Sequence, residues 1–126
     1  MRGIRGATTI EKDEREQVFA AVRELLEAIL SANPDLRSAD IASAIFTVTG
    51  DIASAFPAAA ARAMGWGEVP MLCTREIPVS GSLPLCIRVL LHWNTEKTSQ
   101  EIRHVYLRNA KALRPDWALS NSREEA

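Results

Sequence analysis

Residues 86–93 read Cys-Ile-Arg-Val-Leu-Leu-His-Trp, the most strand-like stretch of the chain. Such a continuous apolar run is typical of a strand that is covered on both faces. Arg88 lies in the middle of the run, so we expect its side chain to point into an enclosed place. Because an isolated buried guanidinium is too costly to keep, Arg88 needs an anionic partner. That partner is either a carboxylate of the protein, which gives a structural ion pair, or a bound ligand.

The flanking sequence predicts further strands and helices around this one. Strands are expected at residues 2–10, at 41–49 and within 68–76. One helix is expected from a capping box at Asp13 to the Asn-Pro-Asp sequence at 33–35, and a short one begins at Pro57 and stops before Gly65. The order of elements predicts an α+β fold, a mixed β-sheet with helices packed mainly on one face. A single sheet of this size exposes its other face, and oligomerisation is the usual way to cover it.

A third helix is predicted near the C-terminus, where Thr98 and Glu101 have the spacing of a second capping box. This helix would run through about Lys111 and would bury one stripe of residues, Ile102, Val105, Tyr106 and Asn109. His104 would then lie on its exposed side. Histidine-based acid–base catalysis is therefore not expected.

Composition indicates one compact domain, because the chain has 126 residues and 47% of them are hydrophobic. We expect this domain to span residues 1–119 and residues 120–126 to form a polar, flexible tail. A net charge of −1 gives no electrostatic reason to expect nucleic-acid or membrane partners. The two cysteines suggest neither a disulfide framework nor a zinc cluster, and no signal peptide follows Met1. A cytoplasmic protein with reduced thiols is the resulting expectation.

The motifs of common catalytic sites are absent from the sequence: a glycine-rich phosphate loop, HExxH, paired CxxC and GxSxG. What remains near the strand ends is several arginines, including Arg5, together with Glu76 and Tyr106. This set suits the binding of a small polyanion and the stabilisation of negative charge, with no metal and no cofactor. Cys73 has no identifiable neighbouring base. It also has the opposite strand parity to Glu76, so the two share a site only if the strand bends or ends between them.

Six short blocks of sequence resemble the monofunctional AroH-type chorismate mutases. They occur in the same order from the N-terminus to the tail and span nearly all of the chain, so their order and spacing carry the resemblance. The blocks are Ile4-Arg5-Gly6-Ala7-Thr8-Thr9, Phe56-Pro57-Ala58, Cys73-Thr74-Arg75-Glu76, Cys86-Ile87-Arg88-Val89, Ile102-Arg103-His104-Val105-Tyr106-Leu107 and Leu113-Arg114-Pro115-Asp116.

The resemblance implies a homotrimer in which the sheets pack around a pseudo-α/β-barrel centre, with three active sites at the subunit interfaces. It also implies an isomerase that converts chorismate to prephenate by a cofactor-free pericyclic rearrangement, on the route to phenylalanine and tyrosine. Such a unimolecular reaction needs a protein that selects the compact diaxial conformer and stabilises the charge separation. The lack of a base and of a nucleophile fits this chemistry.

Roles for individual residues follow from the resemblance, position by position. Arg88 would face the ether oxygen of chorismate, which gains negative charge as its bond breaks. Glu76 would hold the ring hydroxyl, with Cys73 beside it. Arg5 and Tyr106 would bind a carboxylate.

The resemblance also implies that Phe56 and Arg62 come from the adjacent subunit and that Arg114 helps to close the site. Family members carry a lysine in the Phe-Pro-Ala helix where this chain has Ala59, which leaves Arg62 as the cation there. Two alternatives use arginines in a similar way. One is a trimeric enamine/imine deaminase of the RidA kind, and the other is a non-catalytic trimer that binds a small anion.

Overall fold

The computed structural model describes residues 1–115 as one five-stranded sheet with two α-helices. The strands are β1 (Arg2–Thr9), β2 (Ile41–Val48), β3 (Met71–Arg75), β4 (Cys86–Trp93) and β5 (Val105–Tyr106). The helices are α1 (Arg15–Ala32) and α2 (Pro57–Ala63), with short 3-10 segments at Ser38–Asp40, Ser99–Glu101 and Arg108–Leu113. The expected tail at 120–126 and the last part of the expected domain, 116–119, lie outside the described residues.

The sheet is mixed, with strand order β3-β2-β4-β1-β5. Strand β4 occupies the centre and pairs antiparallel with both β1 and β2. The two edge strands are parallel to their neighbours, β5 to β1 and β3 to β2. In this register Arg88 lies opposite Ala7 on one side and opposite Thr47 on the other. The α+β architecture expected from the order of elements is confirmed, with Arg88 in the middle of the sheet.

One face of the sheet carries the hydrophobic core. Helix α1 covers it with a buried stripe at helical spacing: Val18, Ala21, Val22, Leu25, Leu26 and Ile29. Strand β4 contributes every second side chain, and all of these are buried: Ile87, Val89, Leu91 and Trp93. Neither helix within residues 1–115 has the length and apolar character that crossing a membrane would require.

The opposite face of the sheet is only partly covered within one chain. Arg88, Leu90 and His92 alternate with the core residues of β4, and all three are half-buried. The expectation that β4 is covered on both faces is therefore not met by a single chain. The helices of the described residues pack against the core side, which leaves this second face, called here the open face, accessible. Among the β4 residues on this face, Cys86 at the start of the strand is fully buried, where it packs with Ala7, Tyr106 and Ala110.

The predicted capping box at the start of α1 is wrong, although the helix itself is confirmed. Residue Glu14 occupies the cap position and no side chain caps the helix. The carboxylate of Asp13 instead accepts hydrogen bonds from the backbone N–H groups of Ala53 and Ser54, at 2.9 and 3.1 Å. Asp13 thus stabilises the loop that precedes α2. The Asp13 carboxylate could have accepted hydrogen bonds from the free N–H groups at the start of α1. In the folded chain it accepts them from the loop at Ala53 and Ser54 instead.

The predicted third helix is also wrong. The capping box of Thr98 and Glu101 is present, but it opens only a 3-10 turn, after which the chain extends into β5. This extension is stabilised by the side chain of Asn33, which bonds both the N–H and the C=O of Arg103 at 3.0 Å. Pairing with the edge of β1 and with Asn33 satisfies backbone groups that a helix would have satisfied internally. Tyr106 is buried as expected, whereas Asn109 is exposed.

Candidate active site

An ion pair on the open face joins two of the predicted site residues. Arg88 Nε lies 3.5 Å from Glu76 Oε2, and the two side chains are 30% and 25% exposed. Glu76 follows the last residue of β3, and its backbone N–H donates to the carbonyl of Val48 at 2.9 Å. The hydroxyl of Thr47 donates a hydrogen bond to the same carboxylate oxygen that faces Arg88. Strand pairing therefore holds Glu76 beside Arg88 although twelve positions separate them in the sequence.

Tyr106 lies on the same face as Arg88 and has further arginines near its hydroxyl. It lies opposite Ala7 in the β1/β5 ladder, and Ala7 lies opposite Arg88 in the β1/β4 ladder, so the three side chains share a face. Burial raises the pKa of the Tyr106 hydroxyl, and the positive charges of Arg5, Arg114 and Arg88 partly oppose this shift. The phenol is therefore neutral at physiological pH and able to donate a hydrogen bond. The open face thus carries Arg5, Arg88, Tyr106 and Glu76, and Arg114 is near enough for its charge to act on Tyr106.

His104 belongs to this cluster, and the sequence predicted it on an exposed helix face instead. Its Nδ1 accepts a hydrogen bond from the backbone N–H of Arg5 at 3.0 Å. Burial lowers the pKa of His104 to about 4, and the positive charges of Arg5 and Arg114 add to this effect. The imidazole is therefore neutral at physiological pH. No local pattern signals this role, because it depends on β5 pairing with a strand about a hundred residues earlier.

Cys86 is a second neighbour of Arg88 that was not predicted as a site residue. Its side chain is fully buried on the open face. Burial raises the pKa of the Cys86 thiol, against the effect of the nearby Arg88 charge. The protonated thiol is thus a packing neighbour of the guanidinium and has little nucleophilic character.

Phe56, Arg62 and Cys73 lie away from this cluster. Cys73 pairs with the core residue Phe46 in the β2/β3 ladder and packs against the core, on the face opposite to Glu76 and Arg88. It lines a cavity of about 720 Å³ together with Phe56, Ala59 and the start of α1. Phe56 is 70% exposed, and Arg62 is exposed at the end of α2. Within one chain, the predicted site residues therefore form two groups on opposite faces of the sheet.

The first group has a defined binding chemistry. Guanidinium groups and a phenol donate hydrogen bonds to carboxylate or ether oxygens, and the Glu76 carboxylate accepts one from a hydroxyl. The described residues contain no group of three or more histidine, cysteine, aspartate or glutamate side chains able to hold a metal ion. The arrangement suits a small molecule that carries both negative charge and a hydroxyl.

Comparisons with known proteins agree with these observations. A family model described as chorismate mutase type I matches residues 1–117. The chain is 54% identical over 116 residues to chorismate mutase AroH of Thermus thermophilus, covering 92% of this chain and 95% of that protein. It is 40% identical over 125 residues to chorismate mutase AroH of Bacillus subtilis (strain 168), covering 98% of each.

A solved structure extends the likeness to the fold. A chorismate mutase from Clostridium thermocellum matches with a TM-score of 0.86 and 46% sequence identity, covering 89% of this chain and 99% of that one. Neither the deaminase alternative nor the non-catalytic alternative finds support in these comparisons. The family model spans almost the whole chain and the relatives are aligned over nearly their full lengths. The chain therefore belongs to the chorismate mutase type I family, a family of isomerases.

Proposed function

We propose that the protein converts chorismate to prephenate by a pericyclic rearrangement, as a step towards phenylalanine and tyrosine. The observation that carries this proposal is the convergence of Arg5, Arg88 and Arg114 around Tyr106, with Glu76 paired to Arg88, in a chain of this family. Cationic donors arranged in advance are what a reaction needs when its main demand is to stabilise developing negative charge. Holding the substrate in its compact conformer supplies the remaining rate acceleration.

Each residue of the open-face cluster has a proposed role. Arg5 and Tyr106 bind a carboxylate of chorismate, and Glu76 accepts a hydrogen bond from the ring hydroxyl. Arg88 faces the ether oxygen, whose negative charge grows as the bond to carbon breaks. Because this interaction is stronger in the transition state than in the bound substrate, it accelerates the reaction instead of only improving binding.

The pairing of Arg88 with Glu76 is compatible with this role. The Nε atom of Arg88 is buried and has no hydrogen-bond partner among the described residues, and its contact with Glu76 is a single one at 3.5 Å. A forked guanidinium–carboxylate pair would use two donors at shorter distance. The contact with Glu76 is made through Nε, so the terminal nitrogens of this partly exposed guanidinium are left to donate to a ligand while Glu76 offsets the cost of partial burial.

The second group of residues supports a site shared between subunits of a homotrimer. Phe56, Arg62 and Cys73 cannot reach Arg88 within their own chain, because the sheet separates them. A neighbouring subunit could bring its α2 and β3 to the open face. Exposed apolar side chains occur on this same part of the chain: Phe56, Leu72, Ile77 and Val79. Apolar surface of this kind is typical of a subunit interface.

Further details of the proposal concern the edges of the site. Arg62 acts as the cation presented by the neighbouring α2, since Ala59 stands where family members carry lysine. Cys73 has a binding role there, as a hydrogen-bonding group. Arg114 closes the site from the C-terminal side. We also propose that residues 1–119 form one domain, that the protein is cytoplasmic and that it needs no cofactor.

Turnover of chorismate tests the proposed function directly. The purified protein should remove the ultraviolet absorbance of chorismate, and prephenate should form in equal amount without any added metal or cofactor. A matched assay offers an enamine substrate and measures ammonia release, the activity expected of a RidA-like deaminase. Ammonia release without loss of chorismate would contradict the proposal, and so would chorismate binding without turnover.

A further inference from the structure

Thr47 lies between the two central residues of the candidate site. It sits on β2 directly opposite Arg88 of β4, and its hydroxyl donates a hydrogen bond to Glu76 Oε2. The same oxygen lies 3.5 Å from Arg88 Nε. Side chains opposite each other on paired strands lie within contact distance. One carboxylate oxygen is therefore shared by a neutral donor and a cation.

The geometry of this ion pair is unusual for an arginine. Guanidinium and carboxylate groups tend to form forked pairs with two parallel hydrogen bonds. This chain makes such a pair elsewhere, between Arg108 and Glu24, with both nitrogen–oxygen distances at 3.1 Å. Arg88 and Glu76 meet through a single longer contact, and Arg88 Nε has no hydrogen-bond partner among the described residues. The Arg88–Glu76 pair is also less exposed than the Arg108–Glu24 pair, and its shared carboxylate oxygen additionally accepts the hydrogen bond from the Thr47 hydroxyl.

We propose that Thr47 is a positioning residue that keeps Glu76 from closing onto Arg88. Its hydrogen bond competes for Oε2 and holds the carboxylate at the end of β3, where the other oxygen, Oε1, can accept a ligand hydroxyl. The guanidinium of Arg88 is then left to face the ether oxygen of the substrate. This inference rests on the proposed function, because both roles are defined by the bound substrate. Without the hydroxyl, Glu76 forks onto Arg88 and neutralises the charge that the transition state requires.

Thr47→Val tests the inference, because valine keeps the shape of threonine and removes only its hydroxyl. We expect kcat to fall roughly 10-fold to 100-fold, the range that corresponds to a lost hydrogen bond to a charged group. KM should change little, and Thr47→Ser should restore most of kcat. Should the valine variant fail to fold, Thr47→Ala removes the same hydrogen bond and takes its place.

Thr8→Val is the matched control. Thr8 is fully buried in the same sheet, and its hydroxyl has no hydrogen-bond partner among the described residues. The same chemical change should therefore leave kcat unaltered there. If kcat falls by a similar factor in Thr8→Val, the Thr47 effect reflects a general disturbance of the sheet and the inference is overturned.

A double-mutant cycle shows whether Thr47 acts through Glu76. In a Glu76→Ala background, Thr47→Val should cost almost no further activity, since there is no carboxylate left to position. Full additivity of the two losses would overturn the inference, as would a normal kcat in Thr47→Val or a failed rescue by serine. A wild-type protein that does not convert chorismate would instead refute the proposed function, and the role of Thr47 with it.

Discussion

Arg88 occupies a position that a charged residue seldom holds, in the middle of the central strand. Its side chain is 30% exposed and pairs with Glu76, so the sequence expectation of an anionic partner is met by a carboxylate of the chain. A structural ion pair does not exclude the proposed ligand site, because the contact with Glu76 is made through Nε and leaves the terminal nitrogens of the guanidinium for a ligand. This single contact is compatible with the proposed role of Arg88 towards the ether oxygen of chorismate.

Replacement of Arg88 by citrulline, which is neutral and of similar shape, should lower kcat about 100-fold or more while KM moves little. The expected cause is the loss of positive charge at the place where the proposed mechanism puts the ether oxygen. Arg88→Lys should recover little activity, because a point charge cannot reproduce the planar fork. Steady-state kinetics with chorismate and thermal unfolding of the same samples provide the measurement. A variant with a lowered melting temperature but near-normal kcat would assign Arg88 a purely structural role.

At the scale of elements, the contact between α1 and β1 depends on a glycine. A Cβ atom at Gly6 would lie 2.8 Å from Ile29 Cδ1, 3.2 Å from Leu25 Cδ1 and 3.3 Å from the Val105 carbonyl oxygen. The helix on one side and β5 on the other thus approach β1 as closely as a glycine allows. Gly3, on the same strand, has only ordinary contacts, the nearest at 3.4 Å.

Gly6→Ala should therefore lower the free energy of unfolding by about 1–3 kcal/mol, because the added methyl overpacks the core. Gly3→Ala is the matched control and should be neutral or stabilising by up to about 1 kcal/mol, since glycine weakens a strand interior. Denaturant unfolding of both variants at one protein concentration makes the comparison. Equal destabilisation by the two substitutions would show that the close approach at Gly6 is unimportant.

A titratable side chain, His104, takes part in the hydrogen bonding between β1 and the segment that leads into β5. His104 accepts the Arg5 backbone N–H through Nδ1, which requires an unprotonated nitrogen, and its pKa is lowered to about 4 chiefly by burial. The unfolded chain has a histidine pKa near 6.5. Between these two values the unfolded state binds more protons than the folded state, so stability is lost as the pH falls.

Lowering the pH from about 7.5 to 5 should thus destabilise the wild-type protein more than the His104→Asn variant. Asparagine keeps an acceptor for the Arg5 N–H and cannot titrate in this range. The quantity to compare is the change in unfolding free energy with pH, since other titrating groups contribute equally to both proteins. Parallel pH profiles would mean that His104 does not contribute to acid sensitivity.

At the scale of the whole molecule, the sheet divides the proposed site into two halves. The open face holds Arg5, Glu76, Arg88 and Tyr106, whereas Phe56 and Arg62 belong to the other side of the chain. If the proposed site includes both halves, copies of the chain have to combine to complete it. In the homotrimer proposed above, each chain would contribute one half to each of its two neighbours, which gives three equivalent sites.

Mixing of two inactive variants tests this arrangement. Arg88→Ala and Arg62→Ala should each be impaired alone, yet unfolding and refolding them together should restore activity. In a ring assembled at random from equal amounts, each site combines Arg88 of one chain with Arg62 of its neighbour, and each of the two is intact in half of the cases. About a quarter of the sites therefore contain both intact arginines. Activity near that fraction of the wild-type value is the expected result. No recovery in mixed oligomers, or full activity in a monomer, would contradict a shared site.

Local patterns in the sequence were sufficient for most of the elements. Alternation identified β4 and the face of Arg88, the helical stripe identified α1, and Pro57 with Gly65 bounded α2. These features depend on hydrophobic periodicity and backbone preference, which act over a few neighbouring residues. The order of the elements was likewise enough to predict a mixed α+β sheet.

Only the tertiary structure decided how distant segments share their hydrogen bonds. The region from 98 to 111 has a genuine helix cap, yet it extends into β5. Its backbone finds hydrogen-bond partners in the Asn33 side chain, 70 residues away, and in the edge of β1, 99 residues away. This β1/β5 pairing places His104 in the candidate site. The pairing of β2 with β4 and β3 likewise places Thr47 there and puts Cys73 on the opposite face from Glu76. Contacts of this kind leave no local periodic signal, since their free energy arises only when the sheet is assembled.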